Sequence, residues 1–293
     1  MIIAWYYLVI ISAVLMSTAT LVEKLALRNE HASAYSSDAT LLIAVVSLLL
    51  IPLANFNITI QELLVMYVMS LTSTATYLLT ARTYKHGDVS VASPVLSTLP
   101  SVFTVLLAFI FLRESLKVSQ YLFIGGLVGV AYLLLFKGGK GPTRYFERMR
   151  YVNYLIVTTI LMAAGAILTK YILDLGVSIF TLFVVVGLSI AFNMAVYMTI
   201  KYGGVKEMIH NLLGHPAPLA VIASLTLFYR LTYYAAASIA FISLVSPLRQ
   251  STTVVLTVLL GTIIFRERDL ARKLVLALMM VVCVYFVINP LTI

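Results

Sequence analysis

The chain has 293 residues, of which 62% are hydrophobic and only 11% are charged, and its mean hydropathy is +1.05. This composition excludes a water-soluble globular domain. We assign the formal net charge of +9 to loops facing anionic lipid and cytoplasm, because so apolar a chain has no soluble basic surface to hold nucleic acid.

Ten runs of mostly apolar residues follow one another along the chain. A helix needs roughly 20 such residues to cross a hydrocarbon core about 30 Å thick. The runs predict transmembrane helices at residues 3–23, 35–53, 61–81, 89–112, 118–136, 151–172, 177–200, 216–237, 240–265 and 270–290. The predicted fold class is therefore an all-α polytopic protein that passes many times through the cell membrane and has the lipid bilayer as a partner.

The fourth and ninth predicted helices are copies of one segment. When the sequence is shifted by 153 positions, residues 89–114 align with residues 242–267, and 11 of the 26 positions are identical. Both copies carry Ser-x-x-Ser-Pro near the start and Arg-Glu at the end, a match that apolar composition alone does not produce. The basic stretch at 137–150 lies between the copies and is interpreted as the joint between two halves.

A weaker copy, shifted by 146 positions, sets Lys24 beside Lys170. We therefore divide the chain into two homologous halves of five helices, residues 1–142 and residues 143–293. Because five is an odd number of crossings, the second half is expected to be inverted in the membrane relative to the first. Inverted repeats are typical of transporters that work by alternating access.

The segment "KHGDVSVASPVLSTLPSVFTVLLAFIFLRESL" at 85–116, with its weaker copy at 238–270, resembles the end of an EamA repeat. In that repeat a Tyr/Lys–Gly-x-x-Ser turn leads into a helix that closes with a Gly/Arg–Glu pair, and Lys24 and Lys170 also fit the pattern. The resemblance covers essentially the whole chain. It implies the ten-helix branch of the drug/metabolite transporter superfamily, whose substrates are too varied to name one here.

Polar side chains recur every three or four positions along both copied helices, so they lie on one face of each. Those that we assign to a substrate cavity are Ser93 on helix 4 and Ser246 and Gln250 on helix 9. Pro94 and Pro247 each remove a backbone donor and are expected to kink these helices. The alternative is that the small hydroxyl residues only pack helix against helix.

Arg230 and Arg249 belong to the second half alone, since Tyr77 and Leu96 occupy the equivalent positions in the first. Counted from the predicted turn between helices 8 and 9, they lie roughly 10 and 14 Å deep at about 1.5 Å per residue. A buried cation is costly unless it is paired or hydrated. We expect the two arginines to bind a substrate carboxylate or phosphate. Alternatively, one pairs with Glu23, or both bond carbonyls at kinked helices.

Aromatic residues complete the predicted pocket. Tyr233 and Tyr234 lie beside Arg230 on helix 8, and Tyr77 approaches from the equivalent helix of the other half. Tyrosine offers an apolar face and a hydroxyl, which suits organic metabolites. With 18 tyrosines in the chain, many must instead be anchors at the membrane interface.

Lys24 and Lys170 are a further matched pair of candidate substrate ligands, although their position near helix ends also suits snorkelling to the interface. Glu23 is the candidate for ion coupling. Its cationic surroundings make exchange or facilitated diffusion the favoured mode over proton coupling. No ATP-binding segment is present, so transport is expected to be secondary.

The sequence contains no motif of a metal site, a cofactor or a catalytic centre, so we predict a protein that is not an enzyme, with no metal and no cofactor. The favoured function is transport of small organic metabolites that carry a carboxylate or phosphate. One alternative is transport of cationic or zwitterionic compounds such as amino acids or drugs. Another is an integral-membrane transferase, which would need clustered carboxylates or histidines. We expect a monomer or a homodimer.

Two expectations concern the helix ends. Arg113 and Glu114, like their copies Arg266 and Glu267, are interpreted as solvated structural or gating pairs. Lys and Arg are concentrated in the connections that follow odd-numbered helices. By the positive-inside rule these connections face the cytoplasm and both termini face outward, whereas the family resemblance implies cytoplasmic termini.

Overall fold

The computed structural model describes residues 4–26, 32–86, 89–135, 149–202, 216–265 and 270–290. Over these residues the chain forms ten α-helices. They are α1 (Trp5–Ala26), α2 (Ala32–Leu48), α3 (Ile60–His86), α4 (Val89–Leu107), α5 (Val118–Leu135), α6 (Met149–Asp174), α7 (Ile179–Tyr202), α8 (Pro216–Ile239), α9 (Ile242–Phe265) and α10 (Leu270–Ile288).

Long apolar stretches dominate these helices. Five of them, α1, α3, α6, α7 and α8, contain spans of 19 to 23 residues that are long and apolar enough to cross a membrane. Shorter apolar stretches occur in α2, α5 and α10 and at the end of α4. The structure therefore confirms a polytopic all-α membrane protein, while ten crossings remain a prediction.

Several predicted boundaries differ from the structure by a few residues, and two of these differences have a local cause. The second predicted helix runs to residue 53, but α2 ends at Leu48 and is followed by a 3₁₀ turn over Ile51–Leu53. Pro52, near the start of this turn, has no backbone N–H to continue an α-helical ladder. The α-helical part of the fourth helix ends at Leu107, because Ala108–Leu112 widens into a π-helical turn.

Helices of the two halves interleave. The helix α1 packs on α8 and α9, and α6 packs in the same way on α3 and α4. In addition, α2 contacts α7, α4 contacts α9 and α5 contacts α10. The contacts of α1 with α8 and α9 correspond to those of α6 with α3 and α4, because helices five places apart are equivalent in the two halves. The contacts α2–α7, α4–α9 and α5–α10 each join a helix to its own equivalent. The two copied helices, α4 and α9, thus pack against each other.

The interior and the outer surface are both apolar. Several large side chains are fully buried, among them Met66, Leu182, Met194 and Leu248. Other large aliphatic side chains are exposed, for example Ile200 at 81%. Contiguous apolar surface of this kind is rare on soluble monomers and is what a lipid-facing surface requires.

Candidate functional site

Arg230 joins the two halves directly. Its side chain extends from α8 towards α3, where Nη2 donates a hydrogen bond of 2.6 Å to the hydroxyl oxygen of Tyr77. The guanidinium carbon lies 5.7 Å from the centroid of the Tyr77 ring. These two residues are 153 positions apart, the same shift that aligns the halves. The bond therefore links two positions that the sequence alignment makes equivalent.

A cavity of about 100 Å³ lies beside Tyr77, between α1, α2, α3 and α8. Its polar lining consists of Glu23, Thr20, Thr226, Tyr229 and Tyr77. A smaller void on the Arg230 side is lined by Thr40, Ile43, Gly187, Ile190, Arg230 and again Tyr77. Tyr77 and Ile43 line both spaces, so they lie where the cavity lined by Glu23 adjoins the void lined by Arg230.

Arg249 has a different surrounding on α9. Its guanidinium carbon lies 3.8 Å from the centroid of the Tyr233 ring, within the range of a cation–π contact. Its Nε is buried and has no hydrogen-bond partner among the described residues. Among the described residues, neither Arg249 nor Arg230 forms a salt bridge. The ion pair found among them joins Lys170 to Asp174. The Arg249 cation is therefore held by an aromatic face and keeps hydrogen-bonding capacity to spare.

Two adjacent tyrosines of α8 are buried beside Arg249. Tyr233 and Tyr234 are both about 5% exposed, and their ring centroids are 5.9 Å apart. Tyr234 also makes an edge contact with Phe183 of α7, at 6.5 Å between centroids. The structure thus places each predicted arginine against its own tyrosine, Arg230 with Tyr77 and Arg249 with Tyr233.

The polar stripe of α9 faces protein. Ser246 and Gln250 are 3% and 4% exposed, and Pro247 lies inside the helix between Ser246 and Arg249. Thr253 donates to the carbonyl of Arg249 at 2.8 Å, so part of the stripe is satisfied by its own helix. On α4, Ser101 is fully buried and its Oγ has no partner among the described residues.

Some predicted residues stay outside this description. Ser93 and Pro94 lie within α4 and Lys24 lies within α1, but their side chains are not among those described. The kinks expected at Pro94 and Pro247 remain predictions.

Lys170, predicted as a substrate ligand, has protein partners instead. It is 8% exposed, and its Nζ donates to the carbonyl oxygen of Ala237 at 3.0 Å and lies 2.9 Å from Oδ1 of Asp174. Because Ala237 belongs to the last turn of α8, the ammonium satisfies a carbonyl that the helix itself leaves open. The contact ties α6 to the end of α8.

The expectation that the Arg113–Glu114 pair is solvated is wrong for Glu114. This carboxylate is 5% exposed and accepts hydrogen bonds from the first backbone N–H groups of α9. A charge at a helix end is normally solvated, but four unpaired N–H groups at the start of another helix are an equally good partner for it.

Sequence reasoning also missed a buried polar group on α2. Ser37, Asp38 and Thr40 are at most 1% exposed, and Thr40 lines the void beside Arg230. The sequence analysis names Glu23, but not Asp38, as a candidate carboxylate. The run "SSDAT" at 36–40, polar at the start of an apolar helix, is the signal that could have identified this group.

Apolar helices with lipid-facing side chains enclose this internal set of arginines, tyrosines and carboxylates, and together they define a multi-pass membrane protein with a polar site between its helices. Residues 3–136 match the EamA-like transporter family. Over this part, a little under half of its length, the chain is similar to EamA-like transporters, and its long apolar helices are those of a multi-pass integral membrane protein.

The fold has a solved counterpart. A chain in a protein crystal structure superposes with a TM-score of 0.72 over 97% of this chain and 96% of that chain, at 13% sequence identity. At this identity the likeness concerns the fold alone. A search of curated protein sequences finds no match.

Proposed function

We propose that the protein is a secondary transporter that moves small organic metabolites carrying a carboxylate or phosphate by alternating access, through exchange or facilitated diffusion. The observation that carries this proposal is the state of Arg249. Its guanidinium rests on the Tyr233 ring with a buried, unbonded Nε, and no carboxylate of the described residues lies within salt-bridge distance.

A cation in this position has a physical cost. Desolvation of a charge inside a membrane protein is offset when the charge meets an opposite charge, a polar cavity or water. The planar guanidinium presents two parallel N–H groups that match a carboxylate or phosphate. An incoming anion therefore supplies the hydrogen-bond acceptors and the negative charge that the described residues do not offer Arg249. The Tyr233 ring holds the guanidinium in place.

The remaining residues take supporting parts in this proposal. Arg230, held by Tyr77, contributes positive potential, and Tyr233, Tyr234, Ser246 and Gln250 form the protein wall around the anion. We keep Ser93 and Lys24 as ligands proposed from the sequence alone. Lys170 leaves the proposed substrate site, since its ammonium already binds Ala237 and Asp174.

Alternating access is supported by the symmetry of the contacts. Most of the principal helix contacts of the first half with the second have an equivalent when the halves are exchanged, the contact of α5 with α9 being an exception, and the Arg230–Tyr77 bond joins equivalent positions. Two halves related in this way, with the second inverted, can exchange conformations and so open the site first to one side and then to the other.

One observation favours a second substrate class. The cavity beside Tyr77 is lined by the Glu23 carboxylate and the Tyr229 ring, a combination that suits an organic cation or the ammonium of a zwitterion. In that case Glu23 binds the substrate, or couples its movement to an ion, and Arg249 is structural.

The test is thermal stability of the purified protein with amino acids, carboxylates, sugar phosphates, nucleotides and organic cations. A ligand at about 100 times its Kd stabilises the folded state by about 2.7 kcal/mol. We expect a rise in Tm with anionic compounds that Arg249→Leu abolishes. Arg272→Leu is the matched control, because Arg272 is exposed and donates to the Leu133 carbonyl. Stabilisation by cations alone, or an unchanged response in Arg249→Leu, would contradict the anion site and favour Glu23.

A further inference from the structure

Glu114 of the first half holds the beginning of α9 in the second. Its Oε1 accepts the backbone N–H of Ile242 at 2.9 Å, and its Oε2 accepts the N–H of Ser243 at 2.9 Å. The hydroxyl of Ser243 also donates to Oε2. Both oxygens of a buried carboxylate are thus used on the N-terminal turn of one helix.

The backbone before Glu114 is shaped to reach this position. After α4 the chain widens into the π-helical turn Ala108–Leu112, and Arg113 then adopts a left-handed conformation with φ of 54°. The N–H of Glu114 returns to the carbonyl of Ala108 at 3.3 Å. A non-glycine residue in this region of φ is uncommon, and π-helical turns are frequent at functional sites. The unusual ending turns the carboxylate away from solvent and onto α9.

A comparison with α3 shows what is special about this cap. The start of α3 is capped by its own neighbours, since the Thr59 N–H donates to Glu62 at 2.6 Å and the Glu62 N–H donates to Thr59 at 3.3 Å. That capping box stays intact however the halves move. The cap of α9 instead crosses from one half to the other, so any motion that separates the end of α4 from the start of α9 must break its charge-assisted bonds.

We propose that Glu114 is a latch. In the conformation described, it keeps the transporter closed at the face where α4 ends and α9 begins. It releases when the start of α9 moves away from the end of α4, and the three donors on Ile242 and Ser243 are then hydrated. The inference rests on the proposed alternating access, and it assigns Glu114 a positioning role: it does not touch substrate but fixes α9, on which Ser246, Arg249 and Gln250 lie.

The experiment measures access of a hydrophilic maleimide to one thiol in the full-length protein in detergent, where the reagent reaches both faces. Cys283→Ser removes the single native thiol, and Val245→Cys, at a fully buried position three residues after the start of α9, reports opening. We expect Glu114→Gln to raise the labelling rate at least about tenfold, the effect of losing one charged hydrogen-bond acceptor, and Ser243→Ala to raise it less.

Two controls separate opening from damage. Glu62→Gln makes the same chemical change in a cap that does not cross the halves and is expected to leave labelling unchanged. A reporter at Met194→Cys, fully buried in α7, is expected to stay unlabelled in Glu114→Gln. Equal labelling of Val245→Cys with and without Glu114→Gln overturns the latch, and so does labelling of both reporters, which indicates general unfolding.

If Glu114→Gln does not yield folded protein, Ser243→Ala decides, because an unchanged labelling rate in that variant overturns the proposal. The measurement contains no ligand. A failure of the anion site in the stability panel therefore leaves it intact, and a failure of the latch leaves the anion site intact.

Discussion

Buried charges in this protein differ in what satisfies them. Arg230 has a tyrosine hydroxyl at 2.6 Å, Arg249 has an aromatic face, and Lys170 has a backbone carbonyl and a carboxylate. The number of hydrogen bonds already made to protein decides which cation is available to a substrate. On this criterion Arg249 is the most available and Lys170 the least.

Lys170 gives a direct test of that criterion. Replacing it by Met keeps most of the side-chain volume but leaves the Ala237 carbonyl without its buried donor, so we expect a loss of about 1–3 kcal/mol in stability with no change in the ligand-induced shift of Tm. Lys201→Met is the control, since Lys201 is exposed and donates to the Tyr197 hydroxyl. Loss of the ligand response in Lys170→Met, at unchanged stability, would return Lys170 to the substrate site.

Helix packing sets a different constraint, seen where α5 meets α10. A methyl group added at Gly126 would lie 3.2 Å from Sγ of Cys283, whereas one added at Gly129 meets no atom within 4 Å. Alanine favours a helix interior over glycine by about 0.5–1 kcal/mol, but overpacking costs about 1–3 kcal/mol. Gly126 therefore permits the close approach of the two helices.

We expect Gly129→Ala to raise Tm and Gly126→Ala to lower it, in a comparison of purified variants. Adding Cys283→Ala to Gly126→Ala removes the sulfur atom and is expected to restore part of the loss. Equal effects at the two glycines would mean that α5 and α10 are not packed as closely as described.

The charges of the loops predict how the whole protein is oriented in the membrane. Lysine and arginine cluster in the connections after odd-numbered helices, so the positive-inside rule places these connections in the cytoplasm and both termini outside. A reporter that is active only in the cytoplasm, fused to the C-terminus, is expected to be inactive. An active fusion would show the opposite orientation, the one that the family resemblance implies.

From the sequence alone follow the membrane location, the helical fold class and the resemblance to EamA-like transporters, because hydropathy over runs of about 20 residues and a copied motif do not depend on how helices are arranged. The alignment of the halves also set Tyr77 at the position equivalent to Arg230. Equivalent positions can come together where two related halves meet, and in this protein they do.

Tertiary structure decided which face of each helix meets protein and which meets lipid. Apart from the polar stripes of α4 and α9, both faces of a helix in this protein are largely apolar, so no amphipathic pattern marks the buried side. Sequence reasoning for that reason left Lys170 at the substrate site, placed Glu114 in solvent and overlooked Asp38. The Ala237 carbonyl that binds Lys170 and the N–H groups that bind Glu114 lie more than 60 positions away in the chain. Only the packing of α6 on α8, and of the end of α4 on α9, brings them within hydrogen-bond distance.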